Sequence, residues 1–238
     1  MRKTELQINL SNLENNLKVI KSITSSEIQA VIKANAYGLD INEVCEAIED
    51  HVESFAVITV DEARNLRKIT KKPILILQGI HEIADYHEIK NSDLDFVIHS
   101  DWQLENIPNI NFPNNRAWLK INTGMNRLGF HPEEFLEKYQ KLTDKNFKDL
   151  VIMSHLASSS EKSDPKNNEQ IELFTNLTKD ISNKKSLANS GAIFNFIESH
   201  FDIVRPGIAI YGGKYLEYGI KPVTCLRSKI TMLKNIKA

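Results

Sequence analysis

Eight short, almost continuously apolar runs, each followed by a segment of helical period, limit how this chain folds. They lie near residues 27–33, 55–59, 74–77, 95–98, 117–122, 149–155, 186–188 and 202–205. Runs without polar alternation are strands buried on both faces, the pattern of a parallel sheet covered by helices. The segments between them carry helix starts. Ser11 with Glu14, Asp40 with Glu43, Thr59 with Glu62 and Ser100 with Gln103 have capping-box spacing, and Asp164-Pro165 offers proline at a first helical position. Eight such units predict an α/β fold of the (β/α)8, TIM-type barrel class, which typically takes about 250 residues. A doubly wound open sheet is the competing arrangement.

Two stretches fall outside that count. "ELQINL" at 5–10 precedes it, and "VTCLRSKITMLKNI" at 223–236 follows it with partial alternation. Both read as unpaired ends. The expected division is a barrel over 1–222, with 5–10 as an extra strand, and the start of a second, β-rich domain over 223–238. The polar stretch "SSSEKSDPKNNEQ" at 158–170 reads as a solvated loop entering a helix. A chain of 238 residues with 41% apolar side chains can bury a sizeable core. Its formal net charge of -1 leaves no basic field to hold nucleic acid or anionic membrane, so the expected partner is a small molecule or another protein.

Cys45 and Cys225 are the only cysteines and lie far apart, which argues against a disulfide framework or a cysteine metal cluster. Both read as small apolar residues, and a reducing cytoplasm is expected. "MRKTELQINL" lacks the apolar core of a signal peptide, and nowhere do eighteen apolar residues follow one another. No membrane partner is expected.

Active sites of such barrels gather where the strands end. Lys33 ends the first strand in "AVIKANAYGLD", Arg127 follows the fifth in "AWLKINTGMNRLGF", and His155 ends the sixth in "VIMSHLAS". Asn189 and Ser190 follow the seventh in "LANSGAIF", and Arg205 ends the eighth in "IVRPGIAIYGG". Ser190 and Gly191 open a helix, and Gly207 permits close backbone approach, so together they offer amides to a phosphate. No GxGxxG or GxxxxGK[ST] pattern supports a dinucleotide or nucleoside triphosphate, and the histidines have no HExxH or other ligand spacing. A small phosphorylated cofactor remains. A strand-end lysine facing a phosphate cup suggests a Schiff base with pyridoxal 5'-phosphate, because burial favours the neutral amine that attacks an aldehyde. The alternative for Lys33 taken alone is a surface residue with a snorkelling head. His51, His81, His87, His99, His131 and His200 have no partner at recognisable spacing and read as surface or capping residues.

"VIKANAYG", "LKINTGMNRLGF", "SHLASS", "ANSGA" and "VRPGIAIYG" occur in the order in which alanine racemases carry such motifs, and the chain resembles that family from residue 5 to its end. The resemblance implies a pyridoxal 5'-phosphate barrel in which Lys33 is the Schiff-base lysine and one of the two bases that interconvert L- and D-alanine. It implies that Tyr37 and Ser190 reach the phosphate, with Gly207 and Ile208 contributing backbone amides and Asn189 beside them. Arg205 is implied to face the pyridine nitrogen with His155 in support. An arginine keeps its proton and cannot protonate that nitrogen as an aspartic acid could, which limits stray chemistry. Arg127 matches the arginine near the cofactor's phenolic oxygen and the substrate carboxylate, where a planar donor fork is useful. Lys120 aligns with a lysine that is carbamylated in many members.

Asn122 stands where the family usually has aspartate, and Leu39-Asp40 replaces a common His-Gly, leaving the hydrogen bonding at both places open. The second base of the family is a tyrosine from the β-domain of the partner subunit. None of Tyr211, Tyr215 and Tyr218 matches its motif. The expectation is therefore the barrel of a cytoplasmic, homodimeric alanine racemase supplying D-alanine for peptidoglycan, cut short before its β-domain, binding cofactor but largely inactive alone. A one-domain pyridoxal phosphate homeostasis protein, a decarboxylase on a related barrel and a serine-preferring racemase are the alternatives. The dangling stretch 223–236 speaks against the first and Arg205 against the second; serine stays open.

Overall fold

In a computed structural model, which describes residues 4–108, 110–145 and 147–236, the chain opens with β1 (Thr4–Ile8) and α1 (Leu10–Ile23). The eight apolar runs then become β2 (Glu27–Val31), β3 (Ser54–Val57), β4 (Ile74–Ile76), β5 (Asp95–Ile98), β6 (Phe112–Lys120), β7 (Phe147–Met153), β8 (Lys184–Ser186) and β9 (Ile203–Val204). Each is parallel to the next in sequence through β8, and β9 returns beside β2. A short parallel bridge, Asn189 to Arg205, closes the ring, with Arg205 N–H donating to Ala188 O at 2.9 Å and Asp202 N–H to Lys185 O at 3.1 Å. The fold is a (β/α)8 barrel.

The two-residue period of a strand sorts its side chains. Ile28, Ala30 and Ile32 face the helices, whereas Val31 joins Ala56, Leu75, Val97, Trp118 and Ile203 in a separate cluster inside the ring. Burial of each large apolar side chain contributes about 1.5–3 kcal/mol. The single turn α2 (Lys33–Gly38) follows β2, and the helical layer comprises α3 (Ile41–Ile48), α4 (Val60–Arg67), α5 (Asp85–Asn91), α6 (Asp101–Glu105), α7 (Phe135–Thr143), α8 (Lys166–Thr178) and α9 (Ser190–Asn195). α1 packs against both α3 and α9. Its polar face is used as well: buried Asn16 donates to Ile210 O and Lys221 O and accepts from Lys221 N–H, while Asn12 donates to Pro222 O. These bonds clamp the segment after β9 to the barrel. Gly212 turns that segment at φ +74°, where a Cβ would lie 2.1 Å from Lys221 O.

β10 (Thr224–Ser228) corrects the reading of unpaired ends. It pairs antiparallel with β1, from Thr4 opposite Ser228 to Ile8 opposite Thr224, and the ribbon is exposed on both faces. The expected strand over 223–236 stops at Ser228, and 229–236 has no regular structure. α1 begins two residues ahead of the Ser11 signal because Asn9, an equally good cap, accepts from Asn12 N–H. Pro165 caps α8 rather than entering it, and Asp164 accepts from Lys166 N–H. Asp40, Thr59 and Ser100 cap α3, α4 and α6 as read. Cys45 is buried as expected, but Cys225 lies exposed on β10. His200 is buried, its Nε2 bonded to Ile193 O, so of the two expected roles it is not a surface residue but caps the 3-10 turn Ile197–Ser199 through its backbone N–H.

Candidate active site

At the C-terminal mouth of the ring a cavity of about 420 Å³ collects all ten residues singled out in the sequence: Lys33, Tyr37, Lys120, Arg127, His155, Asn189, Ser190, Arg205, Gly207 and Ile208. They come from the ends of different strands, so only closure of the barrel brings them together. Gln78, Ser159, Ser160 and Tyr215 line it too and were not picked out. Gln78 stands two residues past β4 and obeys the strand-end rule; the serines sit in the stretch read as solvated loop.

Lys33 stands two residues past β2. The four residues after it, Ala34 to Tyr37, have φ between 52° and 56° and form a left-handed turn. Left-handed winding costs roughly 1–2 kcal/mol per residue that is not glycine, so tertiary contacts must hold it. Ala36 N–H donates to Ile32 O at 3.0 Å, and Asn35 Oδ1 accepts from Ile41 N–H at 2.9 Å. The Tyr37 ring packs on Tyr211 at 4.5 Å, and the Tyr211 hydroxyl donates to Val31 O. Leu39 is buried and Asp40 caps α3 through its side chain, while its backbone, at φ +75°, lies in the region a glycine in its place would adopt without strain.

Opposite, Ser190 follows the Asn189 cap of α9. Its hydroxyl oxygen accepts from Gly207 N–H at 2.9 Å and Ala209 N–H at 3.2 Å, which leaves its own proton to donate into the cavity. A Cβ on Gly207 would sit 2.5 Å from the Tyr37 hydroxyl. Tyr37, Ser190 and residue 207 thus form one cradle.

The charged wall is cationic throughout. Arg205 is buried and donates to Ser186 Oγ, Ser154 O and Leu187 O; burial pushes its pKa down to about 9, so it stays charged at neutral pH. Lys120 is pushed down to about 7 by burial, then by Arg205, Arg127 and Lys33. The Lys33 amine is lowered by burial and Arg127, against an opposing pull from Glu62. His155 is held well below its ordinary value by burial and Arg205. Its bonded neighbour is Asn189. The Asn189 carbonyl oxygen accepts from Ser159 and Ala192 N–H, turning the amide nitrogen toward His155 Nε2 at 3.3 Å and Leu156 O at 3.2 Å. Asn122, in place of the expected aspartate, accepts from Gly124 and Asn126 N–H and shapes the loop that carries Arg127.

Comparison with known proteins agrees with the fold. The family model described as alanine racemase, N-terminal domain, matches residues 8–215. The alanine racemase of Vesicomyosocius okutanii is 38% identical over 239 residues, covering 98% of this chain and 67% of that protein. The crystal structure of the biosynthetic alanine racemase from Pseudomonas aeruginosa superimposes with a TM-score of 0.89 at 32% identity, over 95% of this chain and 66% of that one. The alanine racemase from Bartonella henselae, solved with covalently bound pyridoxal phosphate, gives 0.83 at 27% identity over 95% of this chain and 69% of that one. The chain spans about two thirds of the length of these relatives.

Proposed function

The chain belongs to the alanine racemase family, and we propose that its cavity holds pyridoxal 5'-phosphate and serves the interconversion of L- and D-alanine. The observation that carries this reading is the convergence of Lys33, Lys120, Arg127 and Arg205 on a cavity with no carboxylate among its described lining residues. Such a wall is matched by an anionic ligand. The donor set fits a phosphorylated pyridine: the Ser190 and Tyr37 hydroxyls with the Ile208 amide for the phosphate, Arg205 for the ring nitrogen, and Lys33 for the carbonyl; the Gly207 amide expected beside them is instead taken by Ser190 Oγ. When bound, this cofactor supplies an electron sink that makes the α-hydrogen of an amino acid acidic.

Lys33 acts as the nucleophile and as one base, since burial makes its amine neutral for more of the time than an exposed lysine. Arg127 receives the substrate carboxylate. Arg205 keeps its charge against the ring nitrogen, and His155, held neutral, packs beside it. Lys120, with a buried amine near neutrality, is the candidate for carbamylation, in which the amine adds to carbon dioxide, loses a proton and becomes an anion beside Arg127. We assign the barrel to 1–222 and residues 223–238 to a second, β-rich domain, as the exposed ribbon suggests. The opposing acid comes from a second copy of the enzyme in a homodimer acting in the cytoplasm. No helix among the described residues is long and apolar enough to cross a membrane.

Inversion at the α-carbon needs a proton on the face opposite Lys33, so these 238 residues alone racemise slowly. A missing acid or base costs roughly 100- to 10,000-fold. The test has two parts. Borohydride reduction of the cofactor-loaded chain and peptide mapping should place the label on Lys33; a label elsewhere overturns the assignment. The loaded chain with L-alanine in deuterated water should give slow deuterium uptake into L-alanine and negligible D-alanine. D-alanine at the rate of a full-length racemase would make a tyrosine of this chain the second base, with Tyr215 at the cavity wall the first to replace.

A further inference from the structure

We infer that Glu62 is a positioning residue for Lys33, a single carboxylate that ties the end of β3 to the left-handed turn and sets both where the lysine stands and the field around it. Thr59 and Glu62 have the spacing of a capping box, and half of that box is made: Thr59 Oγ1 accepts from Glu62 N–H at 3.2 Å. The Glu62 side chain goes further. One oxygen accepts from Ile58 N–H at 2.7 Å, and the other crosses to the neighbouring strand end to accept from Ala34 N–H at 2.8 Å. The second bond holds the peptide that joins Lys33 to Ala34, the first of the four left-handed residues. Fixing that plane fixes the direction in which the lysine leaves the backbone, which a turn of unfavourable hand does not do by itself.

Charge gives the bond a second consequence. The groups facing Lys33 are Lys120 at the end of β6, Arg127 in the loop after it, His155 after β7, Arg205 after β9, and Tyr37 in its own turn. Among the described residues, Glu62 on α4 is the one carboxylate that acts on Lys33, and its pull opposes Arg127 and burial. Each oxygen is held by one backbone N–H, and Glu62 and Lys33 form no ion pair, so the carboxylate biases the amine without capturing it.

The inference rests on Lys33 being the reactive amine, and the test separates the two. The cofactor-free chain is reductively methylated with 13C-formaldehyde, the Lys33 dimethylamine is titrated by NMR, and exchange of the Ala34 amide is followed. In Glu62→Gln, which loses the charge and sets an amide nitrogen against a backbone N–H, the Lys33 midpoint should fall and Ala34 exchange should quicken by about tenfold or more. Thr59→Ala, which weakens the same helix cap but keeps the carboxylate, should move neither. In the unmutated chain the Ala34 and Ile58 amides should each show a scalar coupling across the hydrogen bond to the Glu62 carboxyl carbon, a measurement that stands even where Glu62→Gln fails to fold. Unchanged Lys33 titration in Glu62→Gln, equal shifts in Thr59→Ala, or the absence of those couplings each overturn the inference. A Glu62 effect without a cofactor adduct on Lys33 overturns the functional reading instead.

Discussion

Replacing Gly207 by alanine tests the phosphate cradle with a single methyl group. Gly207 has no positive φ, so alanine brings no backbone strain, and the effect is steric. The added Cβ would lie 2.5 Å from the Tyr37 hydroxyl oxygen, 3.4 Å from its Cζ and 3.6 Å from Val31 Cβ. The last two are ordinary contacts; the first requires the hydroxyl to retreat by about 1 Å to reach van der Waals separation. Tyr37 is 39% exposed and has room to swing, but doing so loosens its pairing with Tyr211, a contact worth about 0.5–1.5 kcal/mol. On the proposed reading, moving the hydroxyl also forfeits its hydrogen bond to the cofactor phosphate, about 1.5–3 kcal/mol, which corresponds to roughly 10- to 150-fold weaker cofactor binding. Titration with pyridoxal 5'-phosphate by visible absorbance should show that loss, while urea unfolding shifts by no more than the ring-pair contribution. Tyr37→Phe should lose comparable affinity and keep the ring pair. The double variant should fall far short of additivity, since phenylalanine has no oxygen for the methyl to meet. Unchanged affinity in Gly207→Ala, or additive effects in the pair, would refute the cradle.

Two further outcomes follow from the buried cations and their neighbours. Because burial holds Lys120 near 7 in the folded chain against an ordinary 10.5, the unfolded chain binds more protons between those limits, and this residue's contribution to stability rises with pH across that window. Lys120→Met should flatten the pH dependence of the urea midpoint between those values, in buffer free of carbon dioxide, and should stabilise the chain at neutral pH; an unaltered slope would mean that the amine stays charged. Asn189→Asp keeps the oxygen that accepts from Ser159 and Ala192 but turns a second oxygen toward Leu156 O and His155 Nε2. It should cost about 1–3 kcal/mol of stability and raise the protonation midpoint of His155, read from its 15N resonances; an unmoved histidine would show that Asn189 does not orient it.

The barrel was legible because parallel strands are buried on both faces, so their apolar runs stand out from the sequence without alternation. Where a strand carries charge, the signal fades. β8 begins on Lys184, which pairs with Glu27 at the ring's edge, and its register was read two residues late. β6 starts at Phe112, five residues ahead of the expected 117, because Pro113 and two asparagines look like a loop and the register there is irregular. The pairing of β1 with β10 lay outside local reading altogether: the partners are separated by the whole barrel, and nothing in either stretch names the other.

The turn after Lys33 shows a different limit. Alanine is the best of helix formers, and Ala34-Asn35-Ala36 contains no glycine to announce a left-handed path; Gly38 comes only after the four inverted residues. The hand of this turn is imposed by contacts remote in sequence, among them Asn35 with Ile41, Tyr37 with Tyr211, and Ala34 with Glu62. The last contact was hidden by a correct observation, since a capping box accounts for Glu62 locally and leaves no reason to seek another role. A side chain with two oxygens can satisfy a local motif through its backbone and a distant one through its carboxylate. Motifs read from spacing therefore bound what a residue does from below, and in Glu62 it is the oxygens the motif leaves unused that reach toward the site.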